Sequence, residues 1–417
     1  MSKQNHLNRW LWKWHMIAGL ITLPLMVLLA ITGMIYLFKA DFEQSVYKNT
    51  LYVTPEAEQV SYAAMYDVAS KASSAPITTL VLPSSDEQAI QFVAGRRSQK
   101  KSVYVNPYKG EVTGEIVTAD TLMMTVRKLH GELLLGKAGT YTVELAASWF
   151  VVLIVTGLYV WWPAKKFSLA GFFTIRTKNG RRIFYRDLHS VTGFWLSSFM
   201  LLILAGAMPW TDVFGSQLKW VQKQTDTGYP STWDKPGGLK SVPTKGPAFS
   251  LDQMVEVARS QALPGEITIA LPRKATGVFT VSNESFWLRD QAVRHFDQYS
   301  GEVIKSHTWA DVGILMNMRQ VAMRLHQGEY GSISWWIVFI VSLIFTISTI
   351  AGLISYVKRK PSGEWGLPKV PEQWRVGQFV IILIIGLGVL FPLFGASLVL
   401  IYLWDVFANK QLQSKEA

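Results

Sequence analysis

The chain has 417 residues, 49% of them apolar and only 17% charged, with a formal net charge of +12 and no cysteine. The missing thiols exclude disulfides, thiolate catalysis, iron–sulfur clusters and covalent c-type haem attachment within the chain. The excess positive charge lies directly beside long apolar runs, without interleaved aromatic platforms, so it speaks for membrane topology and gives a nucleic-acid partner no support.

Five long apolar runs, 15–38, 142–162, 190–210, 333–357 and 376–403, reach or approach the roughly 20 residues needed to cross a bilayer. The first is too long for a cleavable signal peptide, and Ile31-Thr32-Gly33-Met34-Ile35-Tyr36 offers no small-residue cleavage site. Basic residues set the expected orientation. Lys3, Arg9 and Lys13 stand in the N-terminal segment 1–14, and Lys165, Lys166, Arg176, Lys178, Arg181, Arg182 and Arg186 in the link 163–189. Lys358, Arg359, Lys360, Lys369 and Arg375 follow in the link 358–375. These stretches fall on one side if every run crosses, so that side is expected to be cytoplasmic. The larger stretches 39–141 and 211–332 then face outward, as does the tail 404–417.

Within 39–141, the polar run 55–71 is punctuated by Val60, Ala64, Tyr66, Val68 and Ala69, which predicts a short amphipathic helix. Strand-like pieces follow at 77–82, 89–93 and 102–105, and the turn Asn106-Pro107-Tyr108-Lys109-Gly110 leads into Glu111-Val112. The second outward stretch repeats this plan, with a helix predicted at 251–260 and strands at 267–271, 277–281 and 292–296. Its turn Asp297-Gln298-Tyr299-Ser300-Gly301-Glu302-Val303 matches the first position for position. The unit of span, outer α+β domain and span therefore occurs twice, over 15–162 and 190–357. The predicted fold is a mainly α-helical integral membrane protein with this duplicated unit and a fifth, C-terminal span.

Four of the seven histidines occupy matched positions. His15 stands at the start of the first run with Gly19 one turn deeper, and His189 with Gly193 repeats this at the third. His130 precedes the second run and His326 the fourth, each in a Leu-His pair behind a basic residue. A helix rises roughly 35 Å from His15 to Phe38, so the two layers cannot share an ion. Each layer has two histidines and no carboxylate at a zinc-like spacing, which would leave a closed zinc site short of ligands. Two imidazoles do complete the axial positions of a b-type haem, and glycine on the same face lets a flat macrocycle approach the backbone. The expected ligands are His15 with His189 for an inner haem b and His130 with His326 for an outer one, with Gly19 and Gly193 giving clearance. Lys13, Arg186, Lys128 and Arg324 adjoin them as candidate partners for haem propionates. The plainer reading assigns the histidines to the membrane interface and the cations to lipid headgroups. His6 has no counterpart, and His295 and His307 read as structural or substrate-facing, with the structural reading ahead. Trp161-Trp162 and Trp335-Trp336 read as interface anchors, and Pro24, Pro209 and Pro392 as bends.

Lys13-Trp14-His15 with Gly19, the turn from Val103 to Val112, Leu129-His130 with Gly136, Asp187-Leu188-His189 with Gly193, and Leu325-His326 with Gly328 are found together in one family. Over nearly its whole length the chain resembles the PepSY-associated transmembrane family, also described as PiuB-like iron-regulated membrane proteins. The resemblance implies PepSY outer domains and a bacterial inner (cytoplasmic) membrane location in contact with membrane lipid, where the charge pattern sets a cytoplasmic N-terminus and a periplasmic C-terminus. It also implies reduction of ferric siderophores with haem b. The expected function is thus a di-haem reductase passing electrons from an inner-side donor to periplasmic ferric siderophore and releasing Fe(II), which binds hard oxygen ligands less tightly. Without a Gly-rich dinucleotide fingerprint, the expected donor is quinol or a separate electron-donor protein. The alternatives are a non-enzymatic PepSY binding or regulatory membrane protein and a siderophore transporter. The second turn departs from the family's Asp/Asn-Pro-Tyr pattern at Gln298, which is expected to alter loop stiffness more than the fold.

Overall fold

The computed structural model describes residues 3–95, 100–162, 172–244, 246–371 and 374–416. Lys165 and Lys166 of the expected link lie outside the described residues. The first half of the chain forms α1 (Lys3–Tyr36), α2 (Lys39–Val46), α3 (Lys48–Leu51), α4 (Tyr62–Ala72), β1 (Ile77–Leu82), β2 (Ile90–Ala94), β3 (Lys101–Val105), β4 (Val112–Val117), α5 (Leu122–Glu132) and α6 (Lys137–Trp161). The second forms α7 (Arg181–Ala207), α8 (Val213–Gln224), α9 (Leu251–Ser260), β5 (Glu266–Ala270), β6 (Val278–Glu284), β7 (Ala292–Asp297), β8 (Val303–Thr308), α10 (Ile314–Gln327) and α11 (Gly331–Arg359). α12 (Gln378–Leu390) and α13 (Pro392–Glu416) close the chain. The elements fall into two compact units, one of Met1–Leu37, Arg127–Trp220 and Ala322–Ala417, the other of Phe38–Val126 and Val221–Val321.

The first unit is helical. Among the described residues, four helices are long and apolar enough to cross a membrane, His6–Tyr36, Lys137–Trp161, Arg181–Trp210 and Gly331–Arg359. Helices suit that task because every backbone polar group is paired within the segment. The chain is a mainly helical membrane protein built as span, domain, span, twice over. α1 runs along α6 and α7 along α11, while contacts of α1 with α11 and α6 with α7 close the ring. Phe150, Leu153, Leu196, Met200 and Val341 fill its centre. Glu144, buried within α6, accepts hydrogen bonds from the Val213 and Phe214 backbone N–H groups at 2.9 and 2.8 Å, satisfying the otherwise unpaired N-terminus of α8. Pro24 lies inside α1 without breaking it, and Pro209 sits in the 3-10 turn that ends α7.

The fifth run is not one span. α12 and α13 meet at Phe391, and a Cβ built on Gly388 would lie 3.2 Å from the Gly395 Cα. Residues seven apart in a continuous helix are about 10 Å apart, so the chain doubles back here. Pro392 opens the second helix, where its missing N–H costs nothing. Trp149 Nε1 donates to Ser397 Oγ at 3.1 Å and ties this hairpin to α6. The expected span over 376–403 is therefore corrected to two shorter helices. The outward placement of the tail 404–417, which required that crossing, loses its basis.

The second unit is built on one antiparallel sheet of eight strands in the order β4-β3-β2-β1-β5-β6-β7-β8. The repeat predicted two separate α+β domains; instead β1 pairs with β5, setting Leu80 opposite Ile269. The physical reason is burial. Leu80 and Ile269 share one core with Phe92, Val103, Val281 and Phe296 beneath α4 and α9, and an open β1 edge would expose unpaired backbone. The predicted helix over 55–71 begins only at Tyr62, because Ser61 takes the N-cap and accepts from the Ala64 N–H. The Asp252 carboxylate, at the start of α9, accepts from the Tyr62 and Ala63 N–H groups and locks the two halves together. The two matched turns are the same structure. Asn106 Oδ1 accepts from the Tyr108 and Lys109 N–H groups, Asp297 Oδ1 from those of Tyr299 and Ser300, and Gly110 and Gly301 both have φ of +68°. Where the first turn has Pro107, Gln298 is buried and its Nε2 donates to the carbonyls of Lys274, Ala275 and Gly277. The fold is kept, and side-chain bonds replace the constraint of the proline ring.

Candidate functional site: two histidine pairs

The helical unit brings the four matched histidines together in twos, each pair taking one ring from either half of the chain. The rings of His15 on α1 and His189 on α7 have centroids 6.5 Å apart, and those of His130 on α5 and His326 on α10 are 6.1 Å apart. Every Nδ1 is engaged. His189 Nδ1 lies 3.0 Å from the Ser348 carbonyl and His326 Nδ1 3.0 Å from that of Ile203. A carbonyl only accepts, so both nitrogens carry the proton. His15 Nδ1 lies 3.0 Å from Thr156 Oγ1, and His130 Nδ1 3.1 Å from Thr32 Oγ1. Both hydroxyls donate their single hydrogen to helix carbonyls, those of Val152 and Leu28 at 2.8 Å, so they too accept from the imidazoles. All four rings are thereby Nδ1–H tautomers, and Nε2 is the available lone pair in each. Burial, reinforced by His326 beside it, pushes the His130 imidazole down to about 4, and burial lowers His326 as well, which keeps both neutral.

Two imidazoles bonded to opposite sides of one metal ion at about 2 Å have ring centres about 6 Å apart. Among the described residues, no group of three or more His, Asp or Glu is arranged to hold a metal. A bare ion would therefore lack ligands at either pair. A planar macrocycle that fills the remaining positions itself would need only the two rings.

His15 and His189 open onto a cavity of about 600 Å³ between α1, α6, α7 and α11. Gly19 and Gly193 line it as the sequence suggested: a Cβ at Gly193 would meet nothing within 4 Å, and one at Gly19 only Leu153 Cδ2 at 3.9 Å. Four further glycines, which sequence reasoning missed, abut the rings. A Cβ at Gly157 would lie 3.0 Å from His15 Cε1, at Gly352 2.9 Å from His189 Nδ1, at Gly33 3.3 Å from His130 Cε1, and at Gly206 2.7 Å from His326 Cβ. Alignment of the two halves contained this signal, since Leu153 precedes Gly157 as Ser348 precedes Gly352.

The candidate cations divide. Arg186 lines the cavity and is clamped by Asp187, fully buried, which also receives a two-pronged bond from Arg176. Lys13 is not among the lining residues; α1 contributes Trp12, His15, Met16 and Gly19, a helical face that excludes position 13. Arg182 and Arg359 line the cavity instead. At the other layer, Lys128 is half-buried, while Arg324 is buried with its guanidinium 4.0 Å from Glu329. Trp161, expected as an interface anchor, lines the cavity and stacks on Phe172. His295 and His307 are both buried in the outer unit. His295 is bonded through both nitrogens, to Thr280 Oγ1 and the Thr232 carbonyl, and His307 through Nε2 to Thr232 Oγ1.

Residues 12–359 match the family model described as the PepSY-associated TM region. No curated protein matches the chain.

Proposed function

This chain belongs to the PepSY-associated TM region family, and on that premise we propose that it is a membrane oxidoreductase that binds two haems b and reduces ferric siderophore with electrons from quinol or a separate donor protein. The observation that carries this reading is the opposed imidazole pair, present at both ends of the helix ring with all four Nδ1 atoms engaged. Haem, if held at each pair by its two imidazoles, would supply a one-electron iron couple. The residues fit that group. His15, His189, His130 and His326 offer Nε2 to the iron, and the oxygen behind each ring fixes its orientation and raises its basicity. Gly19 and Gly193 leave clearance for a flat body, and the apolar wall of Met26, Phe150, Met200 and Phe345 excludes water. The helix from His15 to Thr32, which holds His130, rises roughly 25 Å. That is most of the roughly 30 Å hydrocarbon core, so the two layers suit transfer across the membrane. One electron converts the Fe(III) of the substrate chelate to Fe(II), weakening its bonds to hard oxygen donors.

The test is a reduced-minus-oxidised spectrum with haem quantitation on the full chain purified after haem supplementation. Two haems per chain are expected, with one lost in His15→Ala and the other in His326→Ala. A haem-free protein, or a spectrum that neither substitution changes, would overturn the cofactor assignment. Mixing the reduced protein with ferric siderophore and a ferrous-iron trap should reoxidise the haem and release Fe(II); an unreacted mixture would overturn the substrate assignment alone.

A further inference from the structure

The cavity beside His15 and His189 has a chemically split wall. Its far part is apolar, with Leu23, Met26, Phe150, Met200 and Phe345, while its near part carries three guanidinium groups, Arg182, Arg186 and Arg359. Among the described residues, none that lines it is Asp or Glu. Arg182 and Arg186 lie one turn apart on α7, hence on one face, and Arg359 ends α11. Arg186 shares the Asp187 carboxylate with Arg176. Arg359 is held by neutral groups: its guanidinium lies 4.6 Å from the Trp12 ring centre, Nη1 donates to the Gly366 carbonyl at 3.2 Å, and Nη2 lies 2.9 Å from Met16 Sδ. Arg182 is near enough for the two like charges to act on each other. Arg182 and Arg186 are exposed and Arg359 is half-buried, so three positive charges on one part of the wall favour an anion there without first having to be desolvated.

We propose that Arg182, Arg186 and Arg359 form a carboxylate-recognition face, so that the cavity takes a planar, apolar dianion with its carboxylates at the arginines and its body between His15 and His189. The inference rests on the haem reading and adds the orientation of the bound group and two residues, Arg182 and Arg359, that helix-adjacent sequence positions did not single out. Guanidinium is suited to this role because its parallel N–H groups match a carboxylate. The positive-inside tendency accounts for arginines at this end of the spans, but it directs them to headgroup phosphates, not into a cavity. The two sources of anion are separable. A propionate is part of the cofactor, whereas a lipid phosphate is not.

The experiment titrates the haem-free full chain with iron protoporphyrin IX and with its dimethyl ester, which lacks the anionic carboxylates, following the Soret band. Wild type is expected to bind the free acid at least about tenfold more tightly than the ester, the scale of one lost charge-assisted contact. Arg359→Gln and Arg182→Gln should each weaken the free acid about tenfold and leave the ester unchanged, with Arg359→Lys intermediate. Retained binding at His130 and His326 reports that each variant is folded. Equal affinity of wild type for both forms, or variants that weaken both equally, would overturn the carboxylate face; the latter result would mean that the arginines shape the cavity or bind lipid. Failure of wild type to take up either form would instead overturn the haem reading beneath it.

Discussion

In the first half of the chain each histidine is held by a threonine hydroxyl, and in the second half each is held by a main-chain carbonyl. The halves differ less than this suggests. Leu29 stands to His15 in sequence as Ile203 stands to His189, and its carbonyl accepts from Thr32 at 3.2 Å. Leu153, the counterpart of Ser348, likewise accepts from Thr156 at 3.3 Å. The same carbonyl thus lies behind every ring. In the first half a hydroxyl is interposed, and in the second Gly206 and Ala351 stand where Thr32 and Thr156 would be. The lesson is that duplication kept the position of an acceptor oxygen while its chemical source changed. Only the first-half acceptors can be removed by substituting a side chain.

The comparison can be broken most forcefully at the rings. His189→Ala should abolish one of two haems and leave the other spectrum intact, and His130→Ala should do the reverse. Loss of both in either variant would mean that the layers are not separate sites. Next come the glycines behind the second layer. A methyl at Gly206 would strike the Ala322 carbonyl and His326 Cβ, whereas at Gly33 it would only touch His130. Gly206→Ala should cost about 1–3 kcal/mol or more and Gly33→Ala under about 1, read from unfolding of the solubilised chain. Equal losses would contradict the asymmetry. Thr156→Val should then weaken haem retention beside His15 about tenfold, with Thr156→Ser restoring it. Retention unchanged in the valine variant would make that hydroxyl idle.

The smallest effect distinguishes the two outer turns. Burial works against the charge of Asp297, but the N–H groups of Tyr299, Val242 and Ser300 outweigh it and hold the carboxyl below its ordinary range. Its folded value lies below its unfolded value of about 3.9, so its contribution is complete above that pH and is lost as pH falls through the folded value. Asn106, its counterpart, does not titrate. Asp297→Asn should therefore flatten the acid limb of thermal stability slightly, and an unchanged limb would show that the carboxylate contributes nothing there.

The histidines were legible because a repeat makes chance improbable: four of seven fell at matched positions beside apolar runs. Their acceptor carbonyls were not, since any residue supplies one and only the fold selects Ile203 and Ser348. Lys13 was chosen for its nearness in sequence to His15, yet helical periodicity groups Trp12, Met16 and Gly19 with that histidine and leaves Lys13 aside. Arg359 lies far along the chain and reaches the cavity only because α11 lies against α1. Hydropathy saw one span over 376–403 because apolar content is blind to a reversal, although Gly388, Pro392 and Gly395 carried the local signal. Six strands were visible one by one, whereas β4 and β8 after the matched turns were not, and the neighbour of β1 is set by burial across nearly two hundred residues of chain.

The junction of β1 with β5 bears on how such a molecule could arise and be taken apart. Either half produced alone would present a bare strand edge to solvent, a template for any other chain. A half-length ancestor would have had to cover that edge with a second copy of itself, and fusion of two genes would have made the encounter unimolecular. A protease that cut only the link between α6 and α7 should accordingly leave two fragments that travel together until both the sheet and the helix ring are taken apart.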